Sequence, residues 1–339
     1  MFPDVSAEIS PLLTACSKRD FQSLISNAMI KARRAMSNSN PRLQKLIQTA
    51  LGKREHLLTD ETDLVRLIDG DGDGLPGIIL ENFGPGWLIS TQEGRLDRRI
   101  MDELSPLAPS LYWKRLDQHL KEAPQHLSGP ELPEFFTGKE NGLISRLSFQ
   151  SGYSQGIFID QRDNRAHLRE MVKPGQTVLN TFSYTGFFSV AAAAAGATTT
   201  TLDLSQVYLD WAKENFRLNH LDAEKHYFCK GDTFHWLKRF ARQGRRFDYI
   251  VLDPPTFSRD DKGKVFRVEK DYARLFKIAF DCLAPGGTIL ACTNFRGMRT
   301  HEFEAQLEKS SPKPLRMVSA EMPDDFPESP YLKSIWATT

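Results

Sequence analysis

Polar and acidic residues follow four short runs of strand-forming residues in the second half of this chain. The residues after these runs are Asn180-Thr-Phe-Ser-Tyr-Thr-Gly186, Asp203, Gly231-Asp232 and Asp253-Pro-Pro-Thr256. If the runs are parallel strands, their carboxyl ends share one edge of a sheet, where ligands bind in open α/β proteins. A turn that enters a helix offers N–H groups to a carboxylate or phosphate. A carboxylate can accept both hydroxyls of a ribose or an exocyclic adenine amine. We therefore expect these groups to form one ligand site.

The ligand that suits these groups carries an adenosine and a charged tail, and S-adenosylmethionine fits best. The first turn contains one glycine, Gly186, where a dinucleotide-binding protein would show G-x-G-x-x-G, which argues against NAD. Each acid alone has another interpretation. Asp203 and Asp232 precede predicted helices and could be N-caps, and Asp253-Pro is also a common turn opener. Four suitable strand ends in sequence order favour the ligand site.

The elements that must position these groups alternate regularly after residue 150. The predicted strands cover residues 177–180, 199–203, 226–230, 248–253, 288–294, 315–321 and 331–338, and predicted helices lie between the first five. The run Tyr249-Ile-Val-Leu252 is continuously apolar, as expected of a strand buried on both faces of a parallel sheet. The pattern predicts a doubly wound parallel sheet with an antiparallel pair at one edge.

The preceding sequence divides into two parts, so that three domains are expected. Residues 1–58 predict a helical, basic segment in which Phe21, Leu24, Ile25 and Ala28 share one helix face. Residues 59–147 predict a small β-rich domain with Gly/Pro turns, and residues 148–339 form the ligand-binding domain.

The string Asp69-Gly-Asp-Gly-Asp73-Gly resembles the first half of a calcium loop. Its twelfth position, which needs a bidentate glutamate, is Leu80, and predicted strands flank it. A tight glycine-rich turn is therefore favoured, and no metal site is expected.

Composition limits the function classes further. The 339 residues are 40% hydrophobic and 26% charged, with a net charge of +1, so any electrostatic argument for a nucleic-acid or membrane partner must be local. Between Lys18 and Arg54 there are nine Lys or Arg residues and one acid, Asp20, which predicts either a phosphate-contacting arm or a solvated helical face.

Cysteine spacing and hydropathy indicate the compartment. Four cysteines lack CxxC spacing, which favours neither a zinc site nor a disulfide framework. No apolar stretch approaches the length of a membrane helix, and the N-terminus lacks a signal-peptide pattern. A cytoplasmic protein with no membrane partner is expected.

Several segments together carry a family resemblance. They are GIFIDQRDNR (156–165), VLNTFSYTGFFSV (178–190), LDLS (202–205), YLDWAKENFRLN (208–219), GD (231–232), FDYIVLDPPTFS (247–258), LAPGGTIL (283–290) and FPESPYLK (326–333). The region from about residue 156 to the end resembles the class I S-adenosylmethionine-dependent methyltransferases of the RlmI/RlmK-like group, which modify bacterial large-subunit ribosomal RNA. Residues 64–84 are similar, more weakly, to the group's central β-domain. Many members carry a PUA-type RNA-binding module at the N-terminus, where this chain has a short basic helical segment.

The resemblance implies a Rossmann-like, seven-stranded class I methyltransferase sheet and assigns roles to individual residues. Phe158, Asp160, Gln161 and Arg162 would belong to a loop over the cofactor. Phe182, Tyr184 and Gly186 would line its methionine side, Asp203 would bind the ribose and Asp232 the adenine. Asn180, Thr185, Leu204, Ser205, Thr233 and Asp253 complete the predicted cofactor site.

The same resemblance gives Asp253-Pro254-Pro255-Thr256 a catalytic role. Methyl transfer to a nitrogen needs a polar group beside the sulfonium methyl and a rigid wall that orients a planar base, and it needs no covalent intermediate. Asp253 supplies the polar group, the prolines stiffen the turn, and Thr256-Phe257 offers a hydroxyl and a ring.

Cytosine C5 methylation is the alternative, and it requires a cysteine that adds to C6. Cysteine-dependent members carry this cysteine in a segment resembling FSCSG. Here the stretch is Cys292-Thr-Asn294-Phe-Arg-Gly297, and alignment on the glycine places Asn294 at the cysteine position. This departure is closer to members that methylate guanine N7, so nitrogen methylation is favoured and Cys292 is expected within the strand.

The resemblance implies RNA, specifically 23S ribosomal RNA, as substrate, with a homodimer left open. Two other functions remain: a methyltransferase of the same fold acting on a protein or small molecule, and a catalytically silent RNA-binding module. The basic segment 18–54 and the loop 259–274 are the candidate RNA-binding surfaces. The intact set of Asp203, Asp232 and Asp253-Pro-Pro argues against a silent module.

Overall fold

The computed structural model describes residues 40–92, 94–117, 122–150, 154–259, 263, 265–328 and 331–339. The predicted helix face of Phe21, Leu24, Ile25 and Ala28 lies outside the described residues. So do most of the basic segment 18–54 and part of the loop 259–274.

A smaller sheet forms the first half of the described chain. Helix α1 (Pro41–Arg54) precedes strands β1 (Leu64–Asp69), β2 (Ile78–Phe83), β3 (Gly86–Thr91), helix α2 (Arg98–Leu104), β4 (Leu111–Arg115) and β5 (Gln125–Ser128). The strands lie in the order β1-β2-β3-β4-β5, antiparallel except for the pair β3–β4, which helix α2 connects.

Helix α1 shares a hydrophobic core with this sheet. Asn40 caps the helix by accepting hydrogen bonds from two backbone N–H groups, and Pro41 occupies the first turn, where its missing N–H costs nothing. Ile47 and Leu51 are buried with Trp87 and Ile89 of the sheet. Helix α1 therefore packs against the sheet that follows it in the chain.

The glycine-rich turn uses its acids within the protein. Residues 70–73 form a short 3-10 turn, and Gly74 has a left-handed φ of 69°. Asp73 accepts hydrogen bonds from the Arg54 side chain at 2.7 Å and the Asp69 backbone N–H at 2.8 Å. Across the described part of the chain, no group of three or more His, Cys, Asp or Glu side chains is arranged to hold a metal ion.

A hairpin of β6 (Phe136–Glu140) and β7 (Leu143–Leu147) connects to the larger sheet. The larger sheet confirms the predicted doubly wound architecture. Its strands are β8 (Thr177–Thr181), β9 (Thr198–Asp203), β10 (Tyr227–Lys230), β11 (Phe247–Leu252), β14 (Leu283–Thr293), β15 (Arg316–Ala320) and β16 (Lys333–Thr338). Their order is β10-β9-β8-β11-β14-β16-β15, parallel as far as β14 and antiparallel for the last two strands.

The larger sheet is accompanied by six helices and a small ribbon in the described chain. The helices are α3 (Arg162–Met171), α4 (Phe187–Ala194), α5 (Gln206–Leu218), α6 (Thr233–Arg242), α7 (Val268–Phe280) and α8 (Thr300–Ser310), and the ribbon pairs β12 (Phe257–Arg259) with β13 (Val265–Arg267). None of the helices in the described ranges is long and apolar enough to cross a membrane.

Strand β14 begins earlier than the sequence predicts. The preceding helix α7 ends at Phe280, and Leu283 already pairs with Phe247 of β11, five residues before the predicted start at residue 288. Pairing resumes between Thr288 and Tyr249, so Pro285-Gly-Gly lies in an irregularity of the strand rather than after a helix.

Asp325 lies between the smaller sheet and helix α3, which accompanies the larger sheet. The fully buried Asp325 carboxylate accepts hydrogen bonds from the Arg66 backbone N–H at 2.8 Å and from the Arg162 guanidinium at 2.7 and 3.1 Å. Its carbonyl accepts from Arg54 at 3.3 Å. Asp325 thus contacts α1, β1 and α3 at once.

Candidate cofactor and active site

A cavity of about 370 Å³ opens at the carboxyl ends of β8, β9, β11 and β14, within the size range of small-molecule sites. Most of the predicted site residues line it: Phe158, Asp160, Gln161, Asn180, Phe182, Tyr184, Thr185, Asp203, Leu204, Thr233, Asp253, Pro254, Pro255 and Asn294. The remaining predicted residues, Arg162, Gly186, Ser205, Asp232 and Thr256, do not line this cavity.

The turn after β8 has an unusual backbone. Phe182 and Tyr184 have φ values of 51° and 49°, in the left-handed region that side chains other than glycine rarely adopt. Gly186 has a φ of 74°, and an added Cβ would lie 2.6 Å from the Ala212 Cβ of α5. Such strain concentrates at ligand sites, and Phe182 and Tyr184 both line the cavity.

Asp203 holds this turn in place. Its Oδ2 accepts a hydrogen bond from the Tyr184 N–H at 2.9 Å, and its Oδ1 accepts one from the Ser205 N–H at 2.9 Å. Ser205 lies outside the cavity because its hydroxyl caps α5. Each carboxylate oxygen keeps a second acceptor site, so Asp203 can still bind vicinal hydroxyls. Burial raises the pKa of the Asp203 carboxyl.

Asp232 lies beside the cavity rather than in it. Its side chain accepts a hydrogen bond from the His235 N–H at 2.9 Å, so it is the N-cap of α6. It lines a small adjoining groove, which shares Phe182, Leu204 and Thr233 with the main cavity. The N-cap and ligand interpretations are compatible because one carboxylate offers several acceptor sites.

Asp253 and Asp160 form an acidic pair on the opposite wall. Gln161 Nε2 donates to Asp253 Oδ2 at 2.9 Å, and the Tyr331 hydroxyl donates to Asp160 Oδ2 at 2.9 Å. Burial, together with the charge of Asp160, raises the pKa of Asp253 to about 7. Burial also raises the pKa of Asp160. No Lys or Arg in the described ranges forms an ion pair with Asp253, so its carboxylate could balance a positive charge in the cavity.

The Gln161 side chain is itself fixed. Asn164 donates to Gln161 Oε1 at 2.7 Å and to the Ser334 hydroxyl at 2.9 Å, which orients the Gln161 amide with its nitrogen toward Asp253. This relay was not predicted, although GIFIDQRDNR contains both of its amides.

Cys292 and Asn294 occupy different environments. Cys292 is fully buried within β14 as predicted, its thiol lies 3.6 Å from the Ser334 hydroxyl, and burial raises its pKa well above the ordinary value. Asn294 follows the strand and lines the cavity, where its side-chain oxygen accepts a hydrogen bond from Thr256 at 2.6 Å. Thr256 therefore contacts the site through Asn294. None of the cysteines in the described ranges lines the cavity.

The two arginines of the predicted cofactor loop have different positions. Arg162 pairs with Asp325 at the junction of the sheets, away from the cavity. Arg165, which was not predicted, lines the cavity and forms a buried bidentate pair with Glu140 at 2.7 and 2.6 Å. It also donates to the Phe158 carbonyl at 2.8 Å, so it positions the Phe158 loop. The helical spacing of Gln161 and Arg165, four residues apart, could have indicated a shared face.

Tyr208 is a second residue that the sequence interpretation missed. Its ring lies 4.6 Å from that of Tyr184 in an edge-to-face arrangement, and both rings line the cavity. Tyr208 lies in the first turn of α5, where sequence alone does not distinguish a cavity residue from a surface one.

Comparison with known proteins agrees with this geometry. The family model of S-adenosylmethionine-dependent methyltransferases matches residues 114–335. Ribosomal RNA large subunit methyltransferase I of Klebsiella pneumoniae is 34% identical over 256 residues, which cover 72% of this chain and 64% of that protein. Ribosomal RNA large subunit methyltransferase K of Neisseria meningitidis is 34% identical over 225 residues, which cover 65% of this chain and 63% of that protein. The chain thus spans just under two thirds of either relative.

A solved structure is similar over most of the chain. The crystal structure of SMU.776, complexed with S-adenosylhomocysteine, superposes with a TM-score of 0.81 at 32% identity and covers 90% of this chain and 83% of that one. The cavity described above suits S-adenosylmethionine. It combines acceptor sites on Asp203 for hydroxyls, a strained turn that lines the cavity, and the Asp253 carboxylate, which forms no ion pair among the described residues. Fold, cavity and matches together show that this chain belongs to the S-adenosylmethionine-dependent methyltransferase family.

Proposed function

We propose that the protein methylates a ring nitrogen of a base in large-subunit ribosomal RNA, with guanine N7 as the favoured atom. The names of the Klebsiella and Neisseria relatives support this class of substrate. A ribosomal RNA substrate implies a cytoplasmic protein.

The acidic wall of the cavity carries the proposal. Asp253, Pro254 and Pro255 line the cavity, and Gln161 fixes one carboxylate oxygen of Asp253. When bound, the cofactor supplies an electrophilic methyl group. Guanine N7 has a free lone pair, so no proton need be removed before it attacks, and the ring becomes positively charged as the bond forms. Asp253 would stabilise that charge electrostatically, while the prolines orient the ring.

The same proposal assigns the cofactor contacts to the predicted residues. Asp203 would accept the ribose hydroxyls, Asp232 the adenine amine, and the turn from Phe182 to Tyr184 would contact the methionine end. Arg165 supports this arrangement through the Phe158 carbonyl.

Cytosine C5 methylation is less well supported. It requires a thiolate within reach of the base, whereas Cys292 is fully buried in β14 and Asn294 lines the cavity instead. The relatives named I and K are equally identical to the chain, at 34%. The preference for nitrogen therefore rests on the residues of the site.

Side chains next to the Asp253–Thr256 turn favour RNA over a protein or small-molecule substrate. Phe257 directly follows the Asp253–Thr256 turn, and its ring is 50% exposed. The guanidinium of Arg267 lies 5.7 Å from the centre of that ring. Exposed aromatic rings beside arginines stack on unpaired bases and contact phosphates.

Mass spectrometry of ribosomal RNA nucleosides from cells with and without the gene tests the proposal. We expect one methylated purine, 7-methylguanosine in the favoured case, to disappear without the gene. Purified protein with labelled S-adenosylmethionine should restore it in RNA from the deletion strain, and Asp253→Asn should not. An unchanged nucleoside profile would contradict RNA as substrate, and loss of 5-methylcytidine would replace nitrogen by carbon as the target.

A further inference from the structure

A second cavity, of about 180 Å³, lies between the smaller sheet and the methyltransferase fold. Strands β1 to β4 contribute Arg66, Glu81, Ser90 and Lys114 to its wall, and the segment before α3 contributes the opposite side. We call it the seam cavity. Arg66 is the register partner of Glu81, and Ser90 is the register partner of Lys114, so these side chains share one face of the sheet.

The seam cavity adjoins the cofactor cavity. Ser154, Ile157, Phe158 and Asp160 line both. Asp253, with its neighbouring prolines, lines only the cofactor cavity. An occupant of the seam cavity would therefore lie close to the reacting base but would not itself contact Asp253.

Two buried polar groups in its wall lack hydrogen-bond partners. Ser90 is 2% exposed and Gln155 is 4% exposed, and neither Ser90 Oγ nor Gln155 Nε2 has a partner. Gln155 Oε1 accepts a hydrogen bond from Lys114 at 3.2 Å, which holds the amide in place. Unsatisfied buried polar atoms are costly and rare, and a bound ligand would explain them.

The lining indicates a neutral, planar, polar ligand. Two cations, Arg66 and Lys114, are balanced by two carboxylates, Glu81 and Asp160, so an anionic phosphate is not favoured. The aromatic ring of Phe158, 50% exposed, stands at the wall shared by the two cavities. A cavity of roughly 150 Å³ can hold a benzene ring, and unpaired bases in RNA are recognised by stacking on such rings and by hydrogen bonds to their edges.

We propose that the seam cavity binds one unpaired base of the RNA substrate, a neighbour of the methylated base, and thereby selects the sequence context. This inference rests on the proposed function. The hydroxyl of Ser90 and the amide of Gln155 would pair with the edge of that base, and Phe158 would stack on its face.

The test combines variants of the seam cavity with RNA fragments that lack one base. Ser90→Leu should fill the seam cavity, and Lys114→Met should remove the donor that orients Gln155. Matched controls are Ser128→Leu, on the same sheet with an equally unpartnered hydroxyl, and Lys139→Met, on β6; neither residue lines the cavity. Calorimetry with S-adenosylmethionine and thermal unfolding would be measured for all four variants.

We expect Ser90→Leu and Lys114→Met to bind S-adenosylmethionine like the wild type but to lose about 10- to 100-fold in kcat/KM on ribosomal RNA, the usual cost of one misread base. The control variants should stay near the wild-type value. RNA fragments with an abasic site at each neighbour of the target nucleotide should reveal one position at which the kcat/KM of the wild type falls by the same 10- to 100-fold. On the RNA with that abasic site, the kcat/KM of Ser90→Leu should be close to that of the wild type, because the two changes remove the same contact.

Three outcomes would overturn this inference and leave the proposed function standing. Wild-type kcat/KM in both seam variants would show that the cavity takes no base. If the seam variants lost as much affinity for S-adenosylmethionine as they lose in kcat/KM, the cavity would belong to the cofactor. If the losses in kcat/KM caused by Ser90→Leu and by the abasic site were additive, that base would bind elsewhere. A wild-type enzyme that leaves ribosomal RNA unmodified would overturn the proposed function as well, which separates the two failures.

Discussion

Cofactor binding should release a proton from Asp253 when the ligand is S-adenosylmethionine but not when it is S-adenosylhomocysteine. The first carries a positive sulfonium and the second a neutral thioether. A positive charge beside a carboxyl lowers its pKa. Because the Asp253 pKa is raised to about 7 in the free protein, the carboxyl is partly protonated at neutral pH and can respond.

The size of the effect follows from that pKa. At pH 7 about half of the molecules hold the proton, so binding that requires the carboxylate releases up to about half a proton. The raised pKa of Asp253 also sets the direction of the pH dependence. As the pH falls, more of the Asp253 carboxyl is protonated, and the neutral form does not attract the sulfonium. S-adenosylmethionine affinity should therefore fall by up to about tenfold from pH 8 to pH 6, while S-adenosylhomocysteine affinity changes little.

The surrounding groups define the controls. Asp160 raises the Asp253 pKa, whereas Gln161 and Arg165 lower it. Asp253→Asn should abolish the proton release. Asp160→Asn should reduce it at pH 7, because the Asp253 pKa then falls below neutrality.

Calorimetric titrations in two buffers of different ionisation enthalpy, at pH 6, 7 and 8, measure the released protons directly. Equal proton release for both ligands would refute the reasoning. So would unchanged release in Asp253→Asn, since the titrating group would then be another residue.

Three further predictions concern single residues. Asp203→Ala should weaken S-adenosylmethionine binding by about 1.5–3 kcal/mol, because hydrogen bonds from hydroxyls to a charged acceptor are lost; calorimetry measures this, and equal affinity would place the ribose elsewhere. Cys292→Ser should retain most of the methyltransferase activity; a loss of roughly a thousandfold, or trapping of the enzyme on 5-fluorocytosine RNA, would restore the covalent mechanism. Arg165→Met should lower the free energy of unfolding by about 3–5 kcal/mol, because Glu140 is left buried without its partner; urea denaturation measures this, and the double variant Arg165→Met/Glu140→Met should recover part of the loss.

The larger sheet was predictable because its strands are strongly patterned. Runs of strand-forming residues that end in Asp203 or Asp253 predict both a strand and the edge where its ligand groups lie. The start of β14 was not predictable. Pro285-Gly-Gly is a helix stop by its chemistry, and only the register with β11 shows that it lies within a strand.

Side-chain partners that are far apart in the chain also could not be predicted from the sequence. Arg162 and Arg165 are three residues apart and chemically alike, yet Arg162 pairs with Asp325 and Arg165 with Glu140. The partner of each is set by packing between distant segments, which no local pattern records. The seam cavity is another product of such packing, because its walls come from strands and loops that are far apart in the chain.

Asp325 makes the two sheets depend on each other during unfolding. A fragment without α1 and the smaller sheet would keep the Arg162–Asp325 ion pair but lose the Arg66 N–H and the Arg54 contact. An incompletely compensated buried ion costs several kcal/mol, a large part of the 5–15 kcal/mol that typically stabilises a protein. We therefore expect heat or denaturant to melt both sheets in one cooperative transition. A chimera that exchanges the smaller sheet between relatives would have to bring the partners of Asp325 with it.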